Sequence, residues 1–187
     1  MLRDVGRPDL VDPLRPVGLL VGNTRALWSR FLAARRSDAT LAASSDPLEQ
    51  FCEQVIDRAA GRDAIVYYSH RRYGDAFIPF QRVAVAAGLA ALAPTHLLVH
   101  PTFGPWFALR AIVLSAGDPP PPAPNVALAC ACDASCTGLF EVALAATGPD
   151  AWRAWLAVRD ACPVGREHRY SDDQIAYHYT KDPLHLG

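Results

Sequence analysis

Two arginines stand where arginine is least easily accommodated. The stretch WFALRAIVLSA around Arg110 reads as a strand. Period-two alternation sets Trp106, Ala108, Arg110, Ile112 and Leu114 on one face and Phe107, Leu109, Ala111 and Val113 on the other. Both faces are apolar, so the guanidinium must pair with a buried acid, reach solvent at the strand end, or meet an anionic ligand. Arg159 repeats the pattern on a helix, where Trp152, Trp155, Leu156 and Arg159 fall at i, i+3, i+4 and i+7. If the two guanidiniums converge, they offer paired donors to a small carboxylate or phosphate.

The cysteines are the second group with chemistry in it. Cys130, Cys132 and Cys136 lie close together, and Cys162 precedes Pro163. The run approaches the C-x2-C-x2-C-x3-C-P pattern that wraps an iron–sulfur cluster, but its first spacing is one residue short and its second one long. A zinc or redox-labile thiol group, or a degenerate cluster segment, fits better than an intact four-iron cluster. His96 and His100 share a strand face, yet residues four apart in a strand lie about 13 Å apart, too far for one metal. His100, before Pro101, is expected to be a hydrogen-bonded residue at a strand end. HExxH, DxHxxG, GxGxxG, phosphate-loop and nucleophile-elbow patterns are all missing from the sequence.

The elements that must hold these residues are legible in part. Residues 1–16 are polar and Pro-punctuated, a loosely held arm. Val17–Gly22 reads as a buried strand, followed by a helix capped at Asn23 or Thr24 with Leu27, Trp28, Phe31 and Leu32 on one face. Asp46-Pro47-Leu48-Glu49 is a strong helix start, with Leu48, Cys52, Val55, Ile56 and Ala59 carrying the core stripe to Gly61. Asp63–His70 reads as a strand and Pro79–Ala93 as a helix with Gly88 a close-packing point. THLLVHP and WFALRAIVLSA, joined by TFGP, form a candidate hairpin. A Pro-rich connector at 118–125 closes the core of 17–117. The segment 126–187 adds a helix before Ala146, one from Pro149 to Pro163, and one opened by the capping box Ser171–Gln174. The mixture argues α+β, an antiparallel sheet flanked by helices with a helical C-terminal segment.

Composition narrows the functions. The 187 residues are 51% hydrophobic and 20% charged, enough apolar surface to repay the entropy of ordering one domain. A formal charge of −1 offers nothing to nucleic acid or to an anionic membrane surface. Uninterrupted apolar runs stay well short of the ~20 residues of a membrane span. A cytoplasmic, reducing setting is expected, with thiols available for chemistry.

The block His100-Pro101-Thr102-Phe103-Gly104-Pro105-Trp106-Phe107-Ala108-Leu109-Arg110, followed by AIVL, resembles the HPRFGGWFAIRG…VVLL signature of the MMACHC family of cobalamin-processing chaperones. WRAWLAVRD at Trp152–Asp160 and RYSDDQIAY at Arg169–Tyr177 resemble that family's WRDWTYRD and RYSEEQKAYF. Weaker echoes lie in VGLLVGNTRALWSRFL, DPLEQFCEQVIDR and Tyr68 to Gln81. The resemblance implies a flavin nitroreductase-like fold and base-off cobalamin in a large apolar cavity. It also implies reductive removal of cyanide with reduced flavin (FMN or FAD), and glutathione-dependent removal of alkyl groups. By the same resemblance Arg110 and Arg159 would anchor the carboxylates of the thiol. His100, Phe103, Gly104, Trp106, Leu98, Leu109 and Tyr170 would border the corrin. Expected partners are cobalamin and a small thiol, with either a downstream cobalamin-dependent enzyme or a second copy of the chain, and neither nucleic acid nor a membrane. The Cys-rich stretch from Cys130 is foreign to the animal chaperones and is similar to the cluster module of epoxyqueuosine reductases. A non-catalytic corrinoid carrier or subunit, and an iron–sulfur redox protein, are therefore the alternatives.

Overall fold

The computed structural model describes residues 1–118, 130 and 135–187. Along the chain run β1 (Val17–Asn23), α1 (Ala26–Ser37), α2 (Ala39–Ala42), α3 (Pro47–Ala60), β2 (Ile65–Tyr68), β3 (Arg72–Tyr73) and β4 (Ala76–Phe77). These are followed by α4 (Phe80–Ala86), β5 (Ala91–Leu92), β6 (Leu98–Val99), β7 (Ala108–Ser115), α5 (Ser135–Ala145), α6 (Ala151–Asp160) and α7 (Asp172–Thr180).

β7 is apolar on both faces because it is the middle strand of an antiparallel sheet, order β1-β7-β2, covered on both sides. Ala111 and Val113 pack with Trp28 and Phe31 of α1, Leu48 and Cys52 of α3, and Tyr177 of α7. Ile112 and Leu114 pack with Phe80 and Val83 of α4, with Ile78, and with Leu2. The register carries one irregularity. Val21 pairs with Ala111 but Gly22 with Leu109, so Arg110 is an extra residue on β7. A bulge of this kind breaks the alternation and re-aims the side chain. Gly22 is required opposite it, since a Cβ there would lie 2.7 Å from the Ala108 carbonyl oxygen.

Several expectations are corrected. The N-terminal arm is packed, with Leu2 buried beneath the sheet, Arg7 Nη2 donating to the Tyr73 carbonyl at 2.9 Å and the Tyr67 hydroxyl to that of Leu10 at 3.1 Å. The expected hairpin does not form, because β6 pairs with β5 and β7 with β1 and β2. Gly-Pro punctuation marks a turn but says nothing about which strands it leaves free to pair. The helix expected to Ala93 stops at Ala86, where Gly88 takes φ +66°; a Cβ there meets nothing, so its role is the turn and not close packing. On α3, Leu48, Cys52 and Ile56 are buried as expected, but Val55 and Ala59 face solvent. α1 starts without a side-chain cap, and Asn23 serves Arg110 instead.

The C-terminal segment packs onto the core, as Tyr177 and Leu186 join Trp28 and Phe31. The chain is thus α+β, with an antiparallel sheet and a helical C-terminal segment. Residues 119–125 of the connector lie outside the described residues, as does Cys132. Among the described residues no helix is long and apolar enough to cross a membrane.

Candidate functional site

The bulge turns Arg110 towards α3. Its Nη1 donates to both carboxylate oxygens of Glu49, at 2.8 and 3.0 Å, and its Nε to Asn23 Oδ1 at 2.6 Å. The side chains are 8% and 15% exposed, a well-shielded ion pair. Nη2 is buried and finds no partner among the described residues. Glu49, expected as the acid of a capping box, pairs with Arg110 instead. Asp46 makes no side-chain cap bond either.

Arg159 is held differently. Its Nη2 donates to the Pro105 carbonyl at 2.7 Å, and its guanidinium lies 4.5 Å from the Trp106 ring centre and 5.4 Å from that of Tyr170. Trp106 is buried below it. The turn that presents Pro105 is closed by reciprocal hydrogen bonds between His100 and Gly104, both 2.9 Å. It meets the loop after α6 backbone to backbone. A Cβ on Gly104 would fall 1.8 Å from the Val164 carbonyl oxygen, and one on Gly165 2.3 Å from the Phe103 carbonyl carbon. Arg169 braces the same corner through Asp160 and Asp172, at 2.7 and 2.8 Å.

Two cavities of about 430 Å³ each open on either side of Phe107 and Leu109, which line both. The first is bounded by Leu20, Leu27, His100 and Phe103, with Asn23 and Arg30 as polar edges. His100 Nδ1 accepts the backbone N–H groups of Thr102 and Phe103, at 3.0 and 3.3 Å, which leaves the proton on Nε2. Burial lowers its pKa and keeps the ring neutral. The second is bounded by Leu98, Pro105, Arg159, Tyr170, His178 and Tyr179. Here the Tyr170 hydroxyl and His178 Nε2 are buried and complete no hydrogen bond of normal geometry among the described residues. Burial pushes the Tyr170 phenol up, against the pull of Arg159 and Arg110. Burial, and then Arg110, Arg159 and Lys181, push His178 down to about 3.

Of the expected site residues, Leu98, Leu109, Arg159 and Tyr170 therefore meet at one cavity and His100, Phe103 and Leu109 at the other. Trp106 and Gly104 line neither cavity: Trp106 lies beneath the Arg159 guanidinium and Gly104 packs against the Val164 backbone, while Arg110 faces Glu49. His178 and Glu49 were not singled out. The signal for His178 was its place three residues after Ile175 on the buried stripe of α7. Cys130, Cys136 and Cys162 converge with Thr95 on a closed space of about 10 Å³. Among the described residues no group of three His, Cys, Asp or Glu is arranged to hold a metal ion.

No family model matches the chain. The human cyanocobalamin reductase / alkylcobalamin dealkylase is 37% identical to it over 93 residues, 48% of this chain and 29% of that protein. The chain thus spans under a third of that relative's length. The crystal structure of a C. elegans B12-trafficking protein, CblC, described as a human MMACHC homologue, superposes with a TM-score of 0.68. That match covers 99% of this chain and 84% of the other, at 15% identity, and shows the fold.

Proposed function

We propose, from its likeness to the MMACHC-like cobalamin-processing proteins, that this chain binds cobalamin and removes its upper axial ligand before passing it on. One observation carries the reading. Two largely apolar cavities share the wall of Phe107 and Leu109; the first has Arg30 at its edge, and the second sets Arg159 beside the buried Tyr170 hydroxyl and His178 Nε2. Each is the size of a drug-sized ligand site. Together they would seat a corrin on the apolar side and a small anionic thiol beside Arg159.

His100 fits base-off binding. With its proton on Nε2 it offers the corrin a hydrogen-bond donor, not a nitrogen ligand for cobalt. An apolar wall likewise supplies no lower ligand, which eases reduction of the metal. In the alkyl reaction the thiolate sulfur attacks the cobalt-bound carbon. A C–S bond forms, the Co–C bond breaks, and its electron pair stays on cobalt. For the cyanide reaction a bound reduced flavin would supply the electron, and the substrate's cyanide would leave as its bond to cobalt breaks. Arg159 orients the thiol through its carboxylate, and Trp106 holds the guanidinium by its ring face.

The engagement of Arg110 with Glu49 favours a second reading, a carrier without turnover, because it leaves Arg159 as the cavity's own guanidinium. Mixing the protein with cyano- or methylcobalamin should shift the visible spectrum to shorter wavelength. Reduced flavin or glutathione should then change it again as the ligand leaves. No shift at excess protein overturns cobalamin binding; a shift without turnover makes the chain a carrier.

A further inference from the structure

We propose that His178 is a ligand-contacting residue of the second cavity, and that its Nε2 takes up a proton when a carboxylate-bearing thiol binds beside Arg159. The inference rests on the thiol site proposed above and adds to it a residue and a proton. His178 lines the cavity with Arg159 and Tyr170, and its Nε2 is shielded from solvent without a hydrogen-bond partner among the described residues. A buried polar atom left unmatched at a cavity wall is costly unless something arrives to match it.

The groups around the ring fix what can arrive. Arg159 faces it from α6, Arg110 from the β7 bulge with Glu49 of α3 paired behind it, and Lys181 from the end of its own helix. Among the described residues its ring neighbours are Tyr170, at 5.5 Å, Trp28 and Tyr177. Three cations and an apolar surround keep the empty imidazole neutral. A carboxylate drawn in beside Arg159 offsets that guanidinium and places an acceptor near the ring, so a proton on Nε2 then completes a charge-assisted hydrogen bond. No bond other than N–H is made at the ring, and the proton comes from solvent.

The test is calorimetric titration of the full chain with glutathione in two buffers of different ionisation enthalpy, at pH 5, 6 and 7. Glutathione carboxylates, with pKa values near ~3.5, stay ionised throughout. Proton uptake approaching one per site is expected towards low pH, with affinity rising up to tenfold per pH unit. The His178→Phe variant keeps the ring packing and should bind glutathione with no uptake beyond any shared background. His178→Gln serves the same comparison if the first variant melts early. Binding without uptake, or uptake unchanged in both variants, overturns the role of His178 and leaves the thiol site standing. Failure of the wild-type chain to bind glutathione at all overturns the thiol site itself, and this inference with it.

Discussion

At the scale of the residue, the sequence makes Arg110 conspicuous but misplaces it. Alternation puts it with Ile112 and Leu114; the bulge puts it with Glu49, because a one-residue insertion in a ladder is invisible to period-two reasoning. The buried acid that arginine needed was present in the sequence as Glu49, hidden behind a helix-start pattern that explains it equally well. Glu49→Ala should cost about 3–5 kcal/mol in urea unfolding, since it strands a buried guanidinium. Arg110→Gln should cost as much, and the double variant less than the sum. A loss under ~1 kcal/mol for Glu49→Ala would mean that the pair is not the arginine's principal partner. His178 gives a pH signature of its own. Its pKa is about 3 in the folded chain against an ordinary 6.5. Between those values the unfolded chain binds a proton that the folded chain refuses, so stability falls as pH drops from about 6.5 towards 3 and is indifferent above. Urea midpoints at pH 5 and pH 7 should therefore differ less in His178→Phe than in the wild type.

At the scale of the element, start signals are legible because they are local. Ser171 accepts from the Gln174 N–H at 3.3 Å, and Pro47 opens α3 as its position promises. Gln174 does not complete the box, since both its polar atoms are buried without partners among the described residues. Pairing is not local, and the TFGP turn shows the difference. Its Gly-Pro pair implies a hairpin, whereas the fold uses the turn to dock the loop after α6, which places Pro105 under Arg159. Gly104→Ala should therefore be costly, more than ~2 kcal/mol, because a left-handed backbone penalty of about 1–2 kcal/mol adds to a collision with backbone that cannot move aside. Gly88→Ala is the control: it also has positive φ, but open space around it, and should lose only about 1 kcal/mol or so. Equal losses in the two variants would show that the contact between the turn and the loop carries no weight.

At the scale of the whole molecule, the segment-by-segment division of the chain gives way to a single packed body. The arm of 1–16 lies under one sheet face and the C-terminal helix closes the other, so residues more than a hundred positions apart share one cluster. Sequence periodicity identifies each apolar stripe but not which stripes meet, and the cavities exist only once they do. Phe107 and Leu109 belong to both cavities at once, and that shared wall has a thermodynamic meaning. A ligand that fixes these side chains from one side sets the surface met by a ligand on the other. Were the two cavities to take the corrin and the thiol proposed above, the influence would be symmetrical: whatever factor the thiol applied to the affinity for the corrin, the corrin would apply to the affinity for the thiol. Neither cavity could then be tuned in isolation, and a substitution at Phe107 or Leu109 would alter two binding constants together with the cooperativity between them.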